Sequence, residues 1–258
     1  MEKKISEIKE EFDRADATEL VRLMESYSQD PRSGVIGLLA KYRKKLDALE
    51  KEQKRLWEMA SYERQYSQYE WICGIDEAGR GPLAGPVTAG AVILPKDVEI
   101  LYLNDSKKLS PGKREALFEE IKEKAVAWSV GFASPQRIDE INILQATYEA
   151  MRQAVEGLSV KPDLLLNDAV RIPGISIPQV PIVKGDAKSL SIAAASILAK
   201  VTRDHLMEEY DRLMPEYGFK GHKGYGSKAH IEALKTYGPS PIHRKTFITH
   251  FVKESDHE

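Results

Sequence analysis

A chain of 258 residues with 42% hydrophobic and 30% charged residues has the composition of an ordinary globular protein, and it is long enough to bury a sizeable core. Its formal net charge is only −2, so a surface for nucleic acid would have to arise from local clustering of basic residues. No apolar segment is long enough for a signal peptide or a membrane span, and the single cysteine, Cys73, cannot form an internal disulfide, so we expect a cytoplasmic protein.

The first 70 residues show helical periodicity and no strong strand pattern. Apolar residues recur three or four positions apart from Ile5 to Tyr27, and a second run from Leu39 to Leu56 predicts one helix over roughly residues 33–62. Basic residues of this second helix alternate with acidic ones, which favours solvated ion pairs, with nucleic-acid binding as the alternative. We therefore predict an all-helical N-terminal extension over residues 1–70.

From residue 71 onward, short apolar runs alternate with helical patterns, which predicts an α/β domain over residues 71–258. The first three predicted strands have no helical pattern between the first and second and should be antiparallel, whereas helices precede the last two, which should run parallel. The predicted strands are Trp71–Ile75, Val87–Leu94, Ala127–Ala133, Leu164–Asn167 and Pro178–Val183.

Several helices are predicted in this domain. Ser110 followed by Pro111 is a helix start, and Ser189–Lys200 is small or apolar on nearly every face, as expected of a helix packed on a sheet. Further helical patterns cover Asp139–Leu158, Val201–Met214 and Ser227–Tyr237.

Four carboxylates follow predicted strands. Asp76 and Glu77 come directly after the first strand, Asp168 after the fourth and Asp186 after the fifth. Singly, each could hold a turn or cap a helix. Together at one edge of a sheet they would repel each other unless cations bind there, and oxygen ligands are what Mg²⁺ or Mn²⁺ requires. The pattern indicates metal-assisted hydrolysis of a phosphodiester.

The segment Gly79–Ala84 formally fits the G-x-G-x-x-A pattern of a dinucleotide-binding turn. That pattern must open a helix, whereas Pro82 and Pro86 here precede a strand pattern. A nicotinamide-dependent oxidoreductase is therefore one alternative, and it requires a helix that begins near Pro82. A second alternative is a module that binds RNA–DNA hybrids without cleaving them.

The run Gly74-Ile75-Asp76-Glu77-Ala78-Gly79-Arg80-Gly81-Pro82 resembles the opening motif of ribonuclease HII, the type 2 ribonuclease H family. The related ribonuclease HIII has Gly-Thr-Gly where this chain has Gly-Arg-Gly, which favours HII. Further matching segments occur in the family's order, over about residues 71 to 250: Asp105–Leu109, Asn167-Asp168, Lys184–Ser189, Ala193–Asp204 and Lys223–Gly226.

This resemblance implies a ribonuclease H-like mixed five-stranded sheet flanked by helices. It implies an endonuclease that hydrolyses the RNA strand of RNA–DNA hybrids and cuts on the 5′ side of ribonucleotides in duplex DNA, leaving 3′-hydroxyl and 5′-phosphate ends. Asp76, Glu77, Asp168 and Asp186 would hold divalent Mn²⁺ or Mg²⁺, with two ions expected when substrate is bound. The biological role implied is removal of misincorporated ribonucleotides and RNA primers.

The resemblance also implies substrate contacts. The backbone of Gly79, Arg80 and Gly81 would contact the ribose 2′-hydroxyl, which distinguishes RNA from DNA at one position. Tyr225 would stack on the deoxyribose that follows. Phosphate contacts are implied for three lysines, Lys107, Lys184 and Lys188.

Other features carry less information. The histidines lack the spacing and the paired cysteines of a zinc site. The segment His243-Arg244-Lys245 either faces substrate or lies on the surface. We expect a monomer whose partners are RNA–DNA hybrids and ribonucleotide-containing DNA, and the sequence leaves open a replication-clamp or polymerase partner.

Overall fold

The computed structural model describes residues 3–252. They divide into two compact units, one that ends at Trp57 and one that begins at Glu58. The compact units therefore divide 13 residues before the predicted domain boundary, which lies between residues 70 and 71 and stays a prediction. No helix among the described residues is long and apolar enough to cross a membrane.

The N-terminal unit is helical. Its helices are α1 (Ile5–Arg14), α2 (Ala17–Ser26) and α3, which runs from Ser33 to Met59. Asp16 begins α2 by accepting a hydrogen bond from the Glu19 N–H, while the Glu19 carboxylate accepts one from the Asp16 N–H. The periodic apolar residues form its core, which consists of Ile8, Phe12, Leu20, Met24, Val35 and Tyr42.

The second unit is built on a five-stranded sheet with strand order β3-β2-β1-β4-β5. Strands β1 and β2 are antiparallel, as are β2 and β3, whereas β1–β4 and β4–β5 are parallel pairs. This confirms the predicted mixed sheet. The strands are β1 (Ile72–Ala78), β2 (Val87–Ile93), β3 (Ala127–Ala133), β4 (Leu164–Asp168) and β5 (Gln179–Ile182).

Helices flank this sheet. In the described part of the unit they are α4 (Ser61–Gln65), α5 (Pro111–Lys124), α6 (Pro135–Glu156), α7 (Leu190–Leu213), α8 (Phe219–His222), α9 (Lys228–Tyr237) and α10 (Lys245–Ile248). The Ser110 side chain caps α5 as its sequence predicts, by accepting a hydrogen bond from the Lys113 N–H.

Helix α7 packs very closely on one face of the sheet. A methyl group added to Gly90 of β2 would lie 2.4 Å from the Ala195 carbonyl oxygen, and one on Gly74 would lie 2.0 Å from the Ser191 carbonyl carbon. Glycine is therefore required at both strand positions. The two predicted helices over residues 189–214 are one continuous helix, because no glycine or proline interrupts the segment.

Helix α6 covers the opposite face, where Ala89 and Ala91 of β2 pack with Ala150 and its neighbours. It starts at Pro135, earlier than the predicted start at Asp139, and has a kink at Asn142, whose φ is 67°. The Asn142 side chain accepts hydrogen bonds from the Leu144 and Gln145 N–H groups, so it caps the segment after the kink.

Helix α4 is attached to the start of α7 by one carboxylate. Glu63 Oε1 accepts hydrogen bonds from the Ser189 hydroxyl at 2.6 Å, the Ser191 N–H at 3.0 Å and the Ser191 hydroxyl at 2.8 Å. Negative charge is favourable at a helix N-terminus, where N–H groups lack partners. Glu63 therefore helps to fix the helix that packs on β1.

Candidate active site

Three carboxylates converge at one edge of the sheet. Asp76 lies in β1, Asp168 is the last residue of β4, and Asp186 lies in a short 3₁₀ helix after β5. One carboxylate oxygen from each lies within 4.8 Å of those of the other two. The parallel order β1-β4-β5 brings these three residues to the same end of the sheet, while Glu77, the fourth predicted ligand, is not in this group.

The predicted position of Asp76 and Glu77 after the first strand is wrong in one respect. Strand β1 continues to Ala78, and Asp76 and Glu77 pair in register with Gly90 and Ala89 of β2. The small residues of β2 allow the ladder to continue past the point where the apolar run of β1 ends. Both acids are therefore held by a sheet rather than by a loop.

Burial and mutual repulsion perturb these acids. Burial raises the pKa of Asp76 well above its usual value, and the nearby Glu77 and Asp168 raise it further. Burial also raises the pKa of Glu77, against the opposing effect of Arg80, whose guanidinium lies 3.2 Å from the Glu77 carboxylate. Burial, Asp105 and Asp168 raise the pKa of Asp186. Without a cation, the site therefore disfavours full ionisation.

Hydrogen bonds from backbone N–H groups orient two of the carboxylates. Asp76 Oδ1 accepts from the Glu77 N–H at 2.8 Å, and Asp168 Oδ1 accepts from the Gly185 N–H at 2.7 Å. Ser196 of α7 partly opposes the rise in the pKa of Asp76, and its hydroxyl lies 2.9 Å from the Ser106 hydroxyl. The side chains are thus fixed before any ligand binds.

Sequence reasoning did not select Asp105, whose nearby charge raises the pKa of Asp186. The signal was present, because Asp105 opens the segment Asp105–Leu109. The three lysines predicted to contact phosphate differ in their surroundings. Lys107 lies in the same segment as Asp105: burial lowers its pKa, but nearby acids that include Asp76 and Asp105 raise it by more. Lys184 and Lys188 are exposed, and no salt bridge of either is found in residues 3–252.

The glycine loop, residues 79–86, leads from β1 to β2 beside Tyr225. A methyl group on Gly81 would lie 3.9 Å from Tyr225 Cε1, so the two predicted substrate-contacting elements are neighbours. The Leu83 N–H donates to the Gly224 carbonyl at 2.8 Å, which joins the glycine loop to the Tyr225 loop, residues 223–226. Arg80, Gly81 and Tyr225 are all exposed.

Two buried arginines contact these loops. Arg203 of α7 donates to the carbonyls of Ala84, Pro86 and Lys223, and Arg244 donates to those of Gly79, Arg80 and Gly85. For the segment His243-Arg244-Lys245, the surface alternative holds for the exposed Lys245 and is wrong for His243, which is 3% exposed, and for Arg244, which is 0% exposed. The partners of Arg203 and Arg244 are backbone carbonyls of other segments, so no local sequence pattern indicates that these arginines are buried.

The buried histidines also form a cluster that the sequence did not indicate. His230 and His243 are joined by a 3.0 Å contact between their Nε2 atoms, and the His222 ring stacks on His230. His230 Nδ1 lies 2.9 Å from the Tyr225 carbonyl oxygen. These rings are engaged by backbone groups and by each other, which gives them a structural role beneath the Tyr225 loop.

The donor set at the sheet edge fits divalent cations of the Mg²⁺ and Mn²⁺ type. Its ligand atoms are carboxylate oxygens, which these hard cations prefer, and a cation would relieve the repulsion that raises the pKa of Asp76. The alternative of a dinucleotide-binding turn fails, because the glycine loop connects two strands and no helix begins near Pro82.

A sheet in this order with carboxylates at adjoining strands is the arrangement of a ribonuclease H-like, metal-dependent hydrolase. The sequence profile "Ribonuclease HII" matches residues 73–250, and the profile "Ribonuclease HII N-terminal domain" matches residues 4–67. The chain belongs to the ribonuclease HII family, which cleaves the RNA of RNA–DNA hybrids. It is accordingly an endoribonuclease, not a binding module alone.

Individual relatives agree with this assignment. Ribonuclease HII of Lachnoclostridium phytofermentans is 61% identical over 245 residues, which cover 95% of this chain and 96% of that protein. Ribonuclease H2 from Pyrococcus horikoshii OT3 has a TM-score of 0.57 at 31% identity, over 69% of this chain and 93% of that one. The ribonuclease HII solved with PCNA from Archaeoglobus fulgidus has a TM-score of 0.59 at 27% identity, over 71% and 97%.

Proposed function

We propose that the enzyme cuts duplex DNA on the 5′ side of an embedded ribonucleotide, in addition to cleaving the RNA strand of longer hybrids. Water attacks the phosphorus, and the bond from phosphorus to the 3′ oxygen of the preceding nucleotide breaks. The products then carry a 3′-hydroxyl and a 5′-phosphate. Such an activity would serve to remove misincorporated ribonucleotides and RNA primers.

Asp76, Glu77, Asp168 and Asp186 are proposed as the ligands of the divalent cations. The proximity of three of them and the raised pKa of Asp76, Glu77 and Asp186 support this assignment. Bound cations would neutralise the carboxylates, make a water more acidic and offset the charge that develops on the phosphoryl oxygens. Glu77 would exchange its ion pair with Arg80 for a cation.

The glycine loop and Tyr225 are proposed to recognise the ribonucleotide. The backbone of Gly79, Arg80 and Gly81 would contact the 2′-hydroxyl, while the Tyr225 ring would stack on the deoxyribose that follows. Exposure of Tyr225 and its proximity to Gly81 support a shared role. Lys107, beside the acids, is the best supported of the proposed phosphate contacts, followed by the exposed Lys184 and Lys188.

The observation that carries the proposal is the short path from metal ligands to ribose contacts. Glu77 of the acidic site forms an ion pair with Arg80, and Gly81 lies beside Tyr225. A ribose held by the glycine loop would therefore be adjacent to the carboxylates. This arrangement supports the proposal that one ribonucleotide determines which phosphodiester is cut.

The test uses a labelled DNA duplex with one ribonucleotide, incubated with wild type or Asp76→Asn protein in Mg²⁺ or Mn²⁺. We expect one cut on the 5′ side of the ribonucleotide, an upstream product that a DNA polymerase extends, and at least about a 100-fold slower reaction of the variant. A matched all-DNA duplex should remain intact. Absence of the junction cut with wild type in both metals, while a long hybrid is cleaved, would refute the proposal.

We further propose that the chain acts as a monomer, which light scattering tests against a mass of 29.0 kDa. A sliding clamp is a candidate second partner, because an archaeal relative was solved with PCNA. Titration of a sliding clamp into the full chain by calorimetry tests that interaction. No heat of binding by the full chain would exclude it.

A further inference from the structure

The two buried arginines beneath the substrate-facing loops have an unusual environment. Arg203 is 1% exposed and Arg244 is 0% exposed, and no salt bridge of either is found within residues 3–252. Burial lowers the pKa of both groups, and Arg203 lowers that of Arg244 further. Guanidinium groups nevertheless stay protonated at pH 7. Two unpaired positive charges are costly to bury, so a compensating role is expected.

Arg244 binds the carbonyl side of the peptides that face substrate. Its Nη2 donates to the Gly79 oxygen, its Nη1 to the Arg80 oxygen at 2.8 Å and its Nε to the Gly85 oxygen at 3.0 Å. In a trans peptide the N–H points opposite to the C=O. The hydrogen bonds from Arg244 to the Gly79 and Arg80 oxygens therefore direct the N–H groups of Arg80 and Gly81 away from Arg244.

Those two N–H groups are available donors. Neither has a hydrogen-bond acceptor in the described part of the chain, and both residues are exposed. A charged donor on the carbonyl of the same peptide also polarises its N–H and strengthens it as a donor. Arg244 thus both orients and activates the pair of donors next to Tyr225.

Arg203 fixes the distance between the two loops. It donates to the Ala84 and Pro86 oxygens at 3.0 and 2.9 Å, and through Nη1 to the Lys223 oxygen at 2.9 Å. The space is full, because a methyl group on Gly79 would lie 2.1 Å from Arg203 Nε. One side chain therefore holds the glycine loop and the Tyr225 loop at a set separation.

The histidine cluster fixes the Tyr225 carbonyl in a similar way. That oxygen can only accept, so His230 Nδ1 donates to it, and His230 Nε2 accepts from His243 Nε2. His243 Nδ1 in turn accepts from the Ser240 N–H at 2.9 Å. Every donor and acceptor in this chain is satisfied when both rings are neutral.

We propose that Arg203 and Arg244 are positioning residues for ribose discrimination, which hold the Arg80 and Gly81 N–H groups and the Tyr225 ring ready to bind before substrate arrives. The inference rests on the proposed function of the glycine loop. On this proposal, discrimination between ribose and deoxyribose depends on two buried arginines that do not themselves contact substrate. Preorganisation of this kind raises affinity by reducing the ordering that binding requires.

The test compares binding of two duplexes that differ only in one 2′-hydroxyl, in Ca²⁺ so that cleavage does not intervene. Arg244→Lys keeps the charge and loses the three-way fork. We expect its Kd for the ribonucleotide duplex to rise at least about tenfold, or about 1.4 kcal/mol, with the Kd for the all-DNA duplex unchanged. Arg212→Lys, at a side chain that is 69% exposed, is the matched control and should match wild type.

The outcomes separate the two proposals. If wild type binds both duplexes equally, the proposed function of the glycine loop fails. If wild type discriminates and a folded Arg244→Lys protein discriminates equally, the positioning role is refuted. Titration of Mn²⁺ should be unchanged in the variant, which distinguishes positioning from general damage.

A second measurement needs no substitution and so covers the case in which Arg244→Lys does not fold. Backbone ¹⁵N relaxation of the free wild-type protein should give order parameters of about 0.85 for Arg80 and Gly81, as for rigid backbone. Values below about 0.6 would show that the arginines do not hold the loop in advance, and would overturn the proposal.

Discussion

In a buffer with chelator at pH 7, Asp76→Asn is expected to raise the free energy of unfolding rather than to lower it. Asp76 is 5% exposed, and its carboxylate lies within 4.8 Å of those of Asp168 and Asp186. Asparagine retains an Oδ1 that can accept the hydrogen bond from the Glu77 N–H, while the charge is removed. The variant therefore loses repulsion and keeps the local hydrogen bond.

The magnitude follows from Coulomb's law. Two unit charges 4.8 Å apart repel by about 3.5 kcal/mol at an effective dielectric constant of about 20. The raised pKa of Asp76 and of Asp186 means that protonation relieves part of this repulsion. We therefore expect a gain of about 2 kcal/mol, which is about 4–8 °C in Tm for a unit of this size.

The pH dependence has a definite sign. Because the folded pKa of Asp76 is raised above its unfolded value, the folded state holds a proton that the unfolded state releases. The stability from that proton is fully present below the unfolded pKa and is lost as pH rises through the folded pKa. The advantage of the asparagine variant should therefore be absent in acid and grow toward pH 7.

Added Mn²⁺ should reverse the order of the two proteins. At a concentration 100 times its Kd, the cation stabilises wild type by about 2.7 kcal/mol, whereas the variant has lost a proposed ligand and gains less. Differential scanning calorimetry in chelator and in Mn²⁺ measures both effects. Asp211→Asn is the control, since Asp211 also accepts a backbone N–H but lies outside the carboxylate cluster. A variant that melts below wild type in chelator would refute the repulsion argument.

Three further predictions concern other parts of the second unit. Tyr225→Ala should slow cleavage at a single ribonucleotide by about tenfold or more through lost stacking, while Tyr225→Phe stays near wild type; single-turnover kinetics measures both. Burial lowers the pKa of His243 to about 4, so the stability it supports is present above its unfolded pKa and is lost from about pH 6.5 to 4; the wild-type Tm should fall more steeply there than that of His243→Gln, and equal slopes would contradict this. Glu63→Ala should lower the free energy of unfolding by about 1–3 kcal/mol in urea titration, because Ser189 and Ser191 lose their acceptor, and an unchanged midpoint would exclude the capping role.

The sheet was predictable because its signals are local. Apolar runs of four to eight residues predict strands, and the lack of a helix between β1 and β2 predicts their antiparallel pairing. The other strand directions do not follow from this signal, because β2 and β3 are antiparallel although α5 lies between them, and β4 and β5 are parallel although no helix lies in the connecting residues 169–178. Boundaries were less predictable: β1 continues to Ala78 because β2 pairs with its acidic residues, and this pairing is not visible in the β1 sequence alone. The kink at Asn142 arises in the same way from a side chain that competes with the helix for backbone N–H groups.

The carboxylates could be predicted from the sequence, whereas the buried arginines that support the neighbouring loops could not. Asp76, Asp168 and Asp186 could be selected because parallel strands bring the residues at their carboxyl ends to one edge. Arg203 and Arg244 could not, because they bind main-chain oxygens, and a carbonyl is present at every residue whatever its type. Their choice of partner depends on where the chain folds back, over more than 100 residues of separation for several of the bonds.

This difference has a consequence for how the glycine loop works. Glycine at position 79 is required by a φ of +89° and by the Arg203 side chain against which it packs. The glycine is therefore needed for the structure of the loop as well as for the proposed contact with substrate. The conformation of the glycine loop is thus determined largely by the buried side chains of Arg203 and Arg244, which donate hydrogen bonds to its carbonyls. Ribose contact would then need little change in the loop itself, which is why discrimination should respond to a buried substitution that leaves every substrate-facing atom in place.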